Sequence, residues 1–190
     1  MKEKIRALIT ESILVKEGLI RDQRLISAIE ALAKLCISCL KKGGKIILFG
    51  NGGSAADAQH IAAELVGRFN RERKALAALA LSGNSSNLTC LGNDYGFGDI
   101  FSRQIEGLGK RGDLAIGIST SGTSPNVLAA IKQAKAQGLK TASLTSEKGK
   151  NKLARMTEVA ICVPSRNTAR IQEAHIVIGH IICELTEQAF

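Results

Sequence analysis

Apolar residues in the first 42 positions of the chain recur at the spacing of an α-helix. The two apolar sets are Ile5, Leu8, Ile9 and Ile13, followed by Leu25, Ile29, Leu32, Cys36 and Leu40. Gly18 and Asp22 lie between the sets and are predicted to mark a break between two helices. We expect this helical pair, residues 1–42, to pack outside the main body of the domain and to serve in oligomerisation.

From residue 45 onward the pattern changes to short apolar runs that alternate with helical segments. The predicted strands are 45–49, 75–81, 113–119, 141–145 and 159–163, and residues 168–190 are predicted to form one long helix. Strands this apolar, joined by helical crossovers, are typical of a parallel sheet that helices cover on both faces. We therefore predict a single α/β domain over residues 1–190, with its body at residues 43–190.

Ligands of such sheets bind outside the carboxyl ends of the strands, so the loops after the first and third predicted strands are candidate sites. The first loop, residues 50–57, reads Gly-Asn-Gly-Gly-Ser-Ala-Ala-Asp and opens a helix, which suits an anion. The dinucleotide fingerprint also fits here, but it requires an acid after the second strand, where residues 81–84 read Leu-Ser-Gly-Asn. No nucleotide cofactor is therefore expected. A glycine-rich turn without a ligand is the alternative.

The second loop, residues 119–126, reads Ser-Thr-Ser-Gly-Thr-Ser-Pro-Asn and carries five hydroxyl groups. Ser124 is placed to cap the next helix and Pro125 fits its first position. One capping serine is ordinary structure, but this many hydroxyls at the carboxyl end of a strand exceed what capping requires. Together with helix-terminal N–H groups they predict a cage for a phosphate monoester.

The titratable residues suggest a second centre. His60 and Glu64 are spaced i, i+4 and so share one helix face, where they can bind a metal or supply acid–base chemistry. Gln172 and His180 are separated by roughly 12 Å of helix rise and about 80° of rotation. They can share an ion only by leaning together or by belonging to different subunits. Burial in an apolar helix is the alternative explanation for His180.

Composition narrows the range of partners. The chain has 26 Lys and Arg against 17 Asp and Glu, a net charge of +9, which indicates an anionic partner. Aromatic residues make up only 3% of the chain and Trp is absent, which disfavours stacking of single-stranded nucleic acid. We expect no nucleic-acid partner, no membrane partner and no signal peptide. Most other basic residues, Arg71, Arg73 and Lys74 among them, are predicted to form a solvated surface.

The five cysteines fit a cytoplasmic protein whose thiols are reduced and buried. Cys36 and Cys39 formally make a CxxC motif. They lie within a predicted helix, with no second pair and no nearby His, so we interpret them as core residues.

Four motifs are more specific together than either loop alone. They are Gly-Asn-Gly-Gly-Ser at 50–54 running on to Glu64 and Arg68, Gly-Asn-Asp-Tyr-Gly-Phe at 92–97, Ser-Thr-Ser-Gly-Thr-Ser-Pro at 119–125, and Arg-Ile-Gln-Glu-Ala-His at 170–175. With them the chain resembles, over nearly its whole length, the sugar isomerase (SIS) domain family. Within that family it is similar to the members that isomerise heptose phosphates.

This resemblance implies a flavodoxin-like αβα sandwich with a five-stranded parallel sheet and a homotetramer with active sites near subunit contacts. It implies an aldose–ketose isomerase that converts sedoheptulose 7-phosphate to D-glycero-D-manno-heptose 7-phosphate through an enediol or enediolate, for bacterial surface glycans such as the lipopolysaccharide core. Glu64 and His180 would be the acid–base pair, and the implied zinc ligands are His60, Glu64, Gln172 and His180. The implied substrate residues are Asn51, Gly52, Gly53, Ser54, Glu64, Arg68, Asn93, Asp94, Ser119, Thr120, Ser121, Ser124 and Gln172.

Two other kinds of SIS protein resemble this chain and have different functions. Some SIS proteins bind the bacterial replication initiator without catalysis, but those lack the acid and the second His that this chain keeps as Glu64 and His180. Regulators that sense sugar phosphates carry a DNA-binding domain, for which this chain shows no segment. One departure from the family is Ala169, where some members have an acidic residue before the Arg-Ile-Gln motif.

Overall fold

Two helices lead the chain, α1 (Lys2–Arg21) and α2 (Gln23–Lys41), in a computed structural model that describes residues 1–147 and 151–190. The break between them is at Asp22, whose side chain accepts a hydrogen bond from the Arg24 N–H at 2.8 Å and so caps α2. Gly18 does not mark the break. It lies inside α1, where a Cβ would come within 3.2 Å of Pro164 Cγ, so glycine serves close packing there.

Five parallel strands form the sheet in the order β2-β1-β3-β4-β5, which is the flavodoxin-like order. Their bounds are β1 (Ile46–Gly50), β2 (Ala78–Ala80), β3 (Leu114–Ile118), β4 (Lys140–Ser146) and β5 (Val159–Val163). The predicted strands are confirmed in number and place, but the second is shorter than residues 75–81. The reason is that the Leu76 N–H donates to the Leu65 carbonyl of α3 at 3.1 Å, so pairing with β1 begins only at the Ala77 carbonyl, which accepts from the Ile46 N–H at 2.9 Å.

Helices cover both faces of the sheet, so the three-layer αβα prediction is confirmed. Those in the body are α3 (Gly53–Val66), α4 (Ser85–Asp94), α5 (Ser102–Leu108), α6 (Pro125–Ala136), α7 (Lys152–Met156) and α8 (Thr168–Glu187). One core layer packs β1 residues Ile46 and Leu48 against α2, α3 and α8. The expectation that both leading helices pack outside the body is therefore wrong for α2, because its apolar face is buried in this layer. The other packs Ile47 and Phe49 against α5, α6 and α7. Successive side chains of β1 therefore alternate between two buried layers.

The cysteine predictions are confirmed only in part. All five thiols are free, and Cys36, Cys39 and Cys183 are buried. Burial raises the pKa of Cys39 to about 11 and that of Cys183 to about 12, so these thiols stay protonated. The CxxC residues are thus core residues, whereas Cys90 is exposed on α4.

The connections at the centre of the sheet determine where a ligand can bind. β1 pairs with both β2 and β3, so the chain turns to opposite sides after β1 and after β3 and leaves a crevice between the two loops. In the described ranges, no helix combines the length and the apolar content needed to cross a bilayer.

Candidate active site

A cavity of about 310 Å³ opens in this crevice, at the carboxyl edge of the sheet. It lies between the loop after β1, the loop after β3 and the first turns of α8. The residues around it are Asn51, Gly52, Gly53, Ser54, Ile118, Ser119, Thr120, Ser124, Thr168 and Gln172. Its volume is at the lower end of the range for small-molecule sites. Both candidate loops therefore contribute to one binding site.

The two loops are joined by a pair of side-chain amides. Asn51 Nδ2 donates to Asn126 Oδ1 at 2.9 Å, and Asn126 Nδ2 donates back to Asn51 Oδ1 at 2.8 Å. Asn126 is buried and also accepts a hydrogen bond from the Val127 N–H. Asn51 is consequently held at the rim of the cavity by a residue of the other loop.

The loop after β3 presents hydroxyl groups that are only partly used inside the protein. Ser124 occupies the N-cap position of α6 and Pro125 follows it, but the Ser124 side chain makes no capping hydrogen bond. Its Oγ instead lies 2.9 Å from Ser119 Oγ. The predicted side-chain cap is therefore wrong, because the hydroxyl turns towards the cavity. Pro125 has no N–H and the Val127 N–H donates to Asn126 Oδ1 at 3.0 Å, so an anion here is favoured by the positive end of the α6 dipole.

Glycine is required where α3 begins. Gly52 has φ +55°, a left-handed conformation that other residues rarely adopt, and it is the N-cap of α3. A Cβ on Gly53 would overlap the side-chain amide of Gln172. Gln172 therefore lies directly against the start of α3, inside the cavity.

A second cluster lies further along α3 and α8. His60 Nε2 is 2.8 Å from His180 Nε2 and 3.3 Å from Glu64 Oε1, and all three residues offer ligand atoms within 4.8 Å of one another. The two helices approach closely because residue 179 is glycine. A Cβ there would come within 2.6 Å of Ile61 Cδ1.

The structure brings together three of the four residues considered as zinc ligands. Gln172 is eight residues before His180 on α8, a rise of roughly 12 Å at about 1.5 Å per residue, and it lies against Gly53 instead. Two imidazoles and a carboxylate are a donor set that zinc takes in catalytic sites. Within one subunit the described residues supply three ligands, so a four-coordinate zinc would keep one coordination position for a further ligand.

Several residues expected near the substrate lie away from the cavity. Arg68 is exposed, with its Nε 3.8 Å from Glu72 Oε2. Asn93 and Asp94, at the end of α4, are exposed and hydrogen-bond to each other at 2.8 Å. Ser121 does not line the cavity, although its Oγ is 3.4 Å from Ser119 Oγ. In a single subunit, none of these four residues lines the cavity.

Two titratable groups near the site are affected by burial. Burial lowers the pKa of His175 to about 4, although Thr145 O, 2.9 Å from Nε2, acts in the opposite direction. His175 is thus a neutral core residue. Burial raises the pKa of the Asp57 carboxyl, in the first turns of α3, to about 6, and His60 partly offsets this.

Three residues of the site have no counterpart in the sequence predictions. Thr168 contributes to the cavity as the first residue of α8. A hydroxyl residue at the start of a predicted helix is a pattern that could have indicated it as a binding residue. Asn126 was predicted only as the last residue of the loop at 119–126, with no role of its own. The Phe69 ring packs on the His180 ring, with centroids 5.5 Å apart, and no local pattern indicates this contact.

The strand order and the hydroxyl-rich loop after β3 together define a SIS domain protein. The SIS domain family matches residues 17–146 of the chain.

Relatives narrow this assignment. The phosphoheptose isomerase of Sulfurimonas denitrificans is 50% identical over 188 residues, covering 99% of this chain and 96% of the relative. That of Thermodesulfovibrio yellowstonii is 51% identical over 187 residues, covering 98% and 92%. The solved phosphoheptose isomerase of Neisseria gonorrhoeae superposes with a TM-score of 0.91 at 43% identity and covers 98% of both chains. The chain belongs to the phosphoheptose isomerase family. These relatives give no support to the initiator-binding alternative.

Proposed function

We propose that this protein isomerises sedoheptulose 7-phosphate to D-glycero-D-manno-heptose 7-phosphate. The observation that carries the proposal is that Glu64 and His180, 116 positions apart in the sequence, meet in one cluster with His60. Aldose–ketose interconversion needs a base at carbon and an acid–base group at oxygen, and a carboxylate beside an imidazole supplies both. SIS proteins without these two residues would lack this chemistry.

The proton transfers can be assigned to residues of this chain. Glu64 removes a proton from C1 of the ketose and returns one to C2, while the enediol or enediolate remains bound. His180 moves a proton between the oxygens on C1 and C2. A carboxylate has two oxygens, so Glu64 can keep one contact in the cluster while the other exchanges a proton.

The opposite end of the substrate belongs in the cavity. The hydroxyl groups of Ser119, Thr120 and Ser124, together with the positive end of the α6 dipole, are suited to hold a phosphate monoester. From Gly53, at the cavity, to His60 the rise along α3 is roughly 10 Å at about 1.5 Å per residue. The six carbon–carbon bonds of a seven-carbon chain, about 1.5 Å each, span that separation once the C–O–P linkage of the phosphate ester is added. This length favours a substrate phosphorylated far from its reacting carbons.

Zinc is proposed as the cofactor, held by His60, Glu64 and His180, with Gln172 supplied by another subunit. The donor chemistry of the cluster supports this choice. When bound, zinc would stabilise negative charge on the substrate oxygens. Glu64 and His180 must then serve as ligands and as proton carriers.

A homotetramer is also proposed, with α1 at a subunit contact. The α1 side chains Ile5, Leu8, Ile9, Ile13 and Leu14 are exposed, and an apolar stripe of this length is typical of an interface. A neighbouring copy would bring the substrate residues that a single subunit leaves outside the cavity. We place the enzyme in the cytoplasm, where its free thiols remain reduced, and its product in bacterial surface glycan synthesis.

The experiment that tests the proposal is to incubate the pure protein with sedoheptulose 7-phosphate and follow the product by NMR. We expect heptose 7-phosphate to accumulate, a chelator to slow the reaction and added zinc to restore it. No product under any of these conditions would refute the isomerase assignment. Full turnover after complete metal removal would refute the zinc proposal alone.

A further inference from the structure

A buried ion pair joins the ends of the two helices that carry the candidate catalytic residues. Arg73 lies in the segment between α3 and β2, and Glu187 is the last residue of α8. Arg73 Nε is 3.2 Å from Glu187 Oε1, and the two side chains are only 5% and 2% exposed. The expectation that Arg73 forms part of a solvated surface is therefore wrong. A charged pair this deeply buried is costly unless its other polar atoms are satisfied.

Glu187 satisfies its carboxylate oxygens with main-chain donors from the same segment. It accepts hydrogen bonds from the N–H groups of Phe69, Asn70 and Arg71 at 2.9, 2.7 and 3.0 Å. Burial raises the pKa of the Glu187 carboxyl, but these donors and Arg73 lower it further, so it lies below its ordinary range. One side chain at the end of α8 thus fixes the main chain of three consecutive residues.

The first of these residues contacts the acid–base centre. The ring of Phe69 packs on the imidazole of His180 with 5.5 Å between centroids and 35° between planes. Since Glu187 holds the Phe69 main chain, it also limits where this ring can lie. His180 is therefore braced by a residue that Glu187 positions.

Arg73 holds the carboxyl-terminal end of α3 through hydrogen bonds to its main chain. Its Nη2 donates to the Glu64 carbonyl at 2.9 Å, and its Nη1 donates to the Gly67 carbonyl at 2.9 Å. Glu64 lies in the last turn of α3, where carbonyls have no partner within the helix and the end tends to fray. The guanidinium supplies that missing partner.

We propose that Arg73 and Glu187 are positioning residues of the isomerase, which fix Glu64 and His180 relative to each other by tying the ends of α3 and α8 to residues 67–73. This inference rests on the proposed function for the roles of Glu64 and His180. Neither Arg73 nor Glu187 lines the cavity. Their effect should therefore fall on the chemical step rather than on substrate binding.

The chain offers a matched control in Asp113, which directly precedes β3 at the amino ends of the strands. Asp113 is also buried, accepts the N–H groups of Lys45 and Lys110 at 2.9 Å each, and pairs with the Lys45 ammonium. Glu187→Gln and Asp113→Asn each remove one buried, hydrogen-bonded carboxylate charge. A merely structural role would give similar losses of thermal stability and similar kinetics in both variants.

We expect Glu187→Gln to lower kcat by about 10- to 100-fold, with KM changed by less than about threefold, as for removal of an orienting partner. Asp113→Asn should leave kcat within about twofold of the wild type. Arg73→Lys keeps the charge but loses the fork to the two carbonyls, and it provides the second test if Glu187→Gln does not fold. A kcat within twofold of wild type in a folded variant, or an equal loss in Asp113→Asn, would overturn the proposal.

A readout without substrate separates this inference from the proposed function. The ring resonances of His180, assigned through His180→Gln in histidine-labelled protein, report the Phe69 ring at fixed pH. Glu187→Gln should shift them in the same direction as Phe69→Leu, while Asp113→Asn should leave them unchanged. If wild type does not turn over the heptose phosphate, the proposed function fails and this measurement still decides whether the pair positions His180. Unchanged His180 resonances in Glu187→Gln would refute the positioning role.

Discussion

Asn51 and Asn126 exchange two side-chain hydrogen bonds, at 2.9 and 2.8 Å, across a sequence separation of 75 residues. Each amide serves as both donor and acceptor, so neither residue can be replaced by an acid without placing two acceptors together. The pair joins the loop after β1 and the loop after β3 into a single unit.

Replacing Asn126 by Asp should therefore weaken substrate binding. The new carboxylate can still accept from Asn51 Nδ2 but faces Asn51 Oδ1 without a proton, so Asn51 should rotate away from the rim. We expect KM for sedoheptulose 7-phosphate to rise about tenfold, which corresponds to about 1.4 kcal/mol. Steady-state kinetics measure this change. Gln133→Glu adds the same charge two turns further along α6 and should leave KM unchanged, and an equal KM rise there would contradict the explanation.

Ser124→Ala tests whether the hydroxyl serves the ligand or the helix. Ser124 stands at an N-cap position but makes no capping hydrogen bond, so we expect little loss of stability and a KM raised several-fold. Asp22→Ala is the matched comparison, because Asp22 does cap α2. It should lower the free energy of unfolding by about 1 kcal/mol and leave KM alone. Denaturant unfolding and kinetics on both variants distinguish the roles, and a reversed pattern would contradict them.

Removing the acid–base groups should abolish turnover without unfolding the protein. Glu64→Gln and His180→Gln are nearly isosteric, and each should lower kcat by about 10²- to 10⁴-fold, the usual contribution of a general acid or base. Circular dichroism checks the fold, and NMR product analysis measures the rate. Glu184→Gln, exposed on the same helix as His180, serves as the control. Near-normal activity in both site variants would rule out the assigned roles.

His175 should make stability depend on pH. Its folded pKa is about 4 against an ordinary 6.5, so between these values the unfolded chain binds the extra proton. The contribution of neutral His175 to the free energy of unfolding is therefore fully present above pH 6.5. It decreases as the pH falls towards 4, by about 3 kcal/mol in total at about 1.4 kcal/mol per pH unit. The physical cause is that Nδ1 is buried without a partner and cannot accept a proton favourably.

Urea unfolding at a series of pH values measures this slope. His175→Gln should lower the free energy of unfolding at neutral pH. Between pH 4 and 6.5 it should also reduce the slope of that free energy against pH by up to about 1.4 kcal/mol per pH unit, the value for one proton. If the variant retained the wild-type slope in that interval, His175 would not be its source.

The sequence made the sheet and its loops predictable because both depend on local patterns. Buried parallel strands read as apolar runs, and the residues after the first and third runs, from Gly50 and from Ser119, supply the lining of the cavity in consecutive positions. Strand ends were less predictable. Leu76 is as apolar as its strand neighbours, but a tertiary hydrogen bond to Leu65 takes it out of the sheet.

The long-range partners could not be read from the sequence. Arg73 looks like its exposed neighbours, and Glu187 looks like a charge near a chain end, until folding brings them together across 114 residues. Asn126 likewise reads as a helix-start residue. The spacing of Gln172 and His180 did carry information, because the predicted rise of about 12 Å already separated them along one helix.

Gly179 has a consequence for anyone who wants to redesign the enzyme for other sugars. Because a Cβ there would come within 2.6 Å of Ile61 Cδ1, the approach of α3 to α8 depends on side-chain size at this contact, and the distance from His60 to His180 depends on that approach. An engineered library should therefore leave the seam between these helices untouched. Variation belongs at the cavity rim, where Thr168 is exposed and a change of shape leaves the catalytic distance intact.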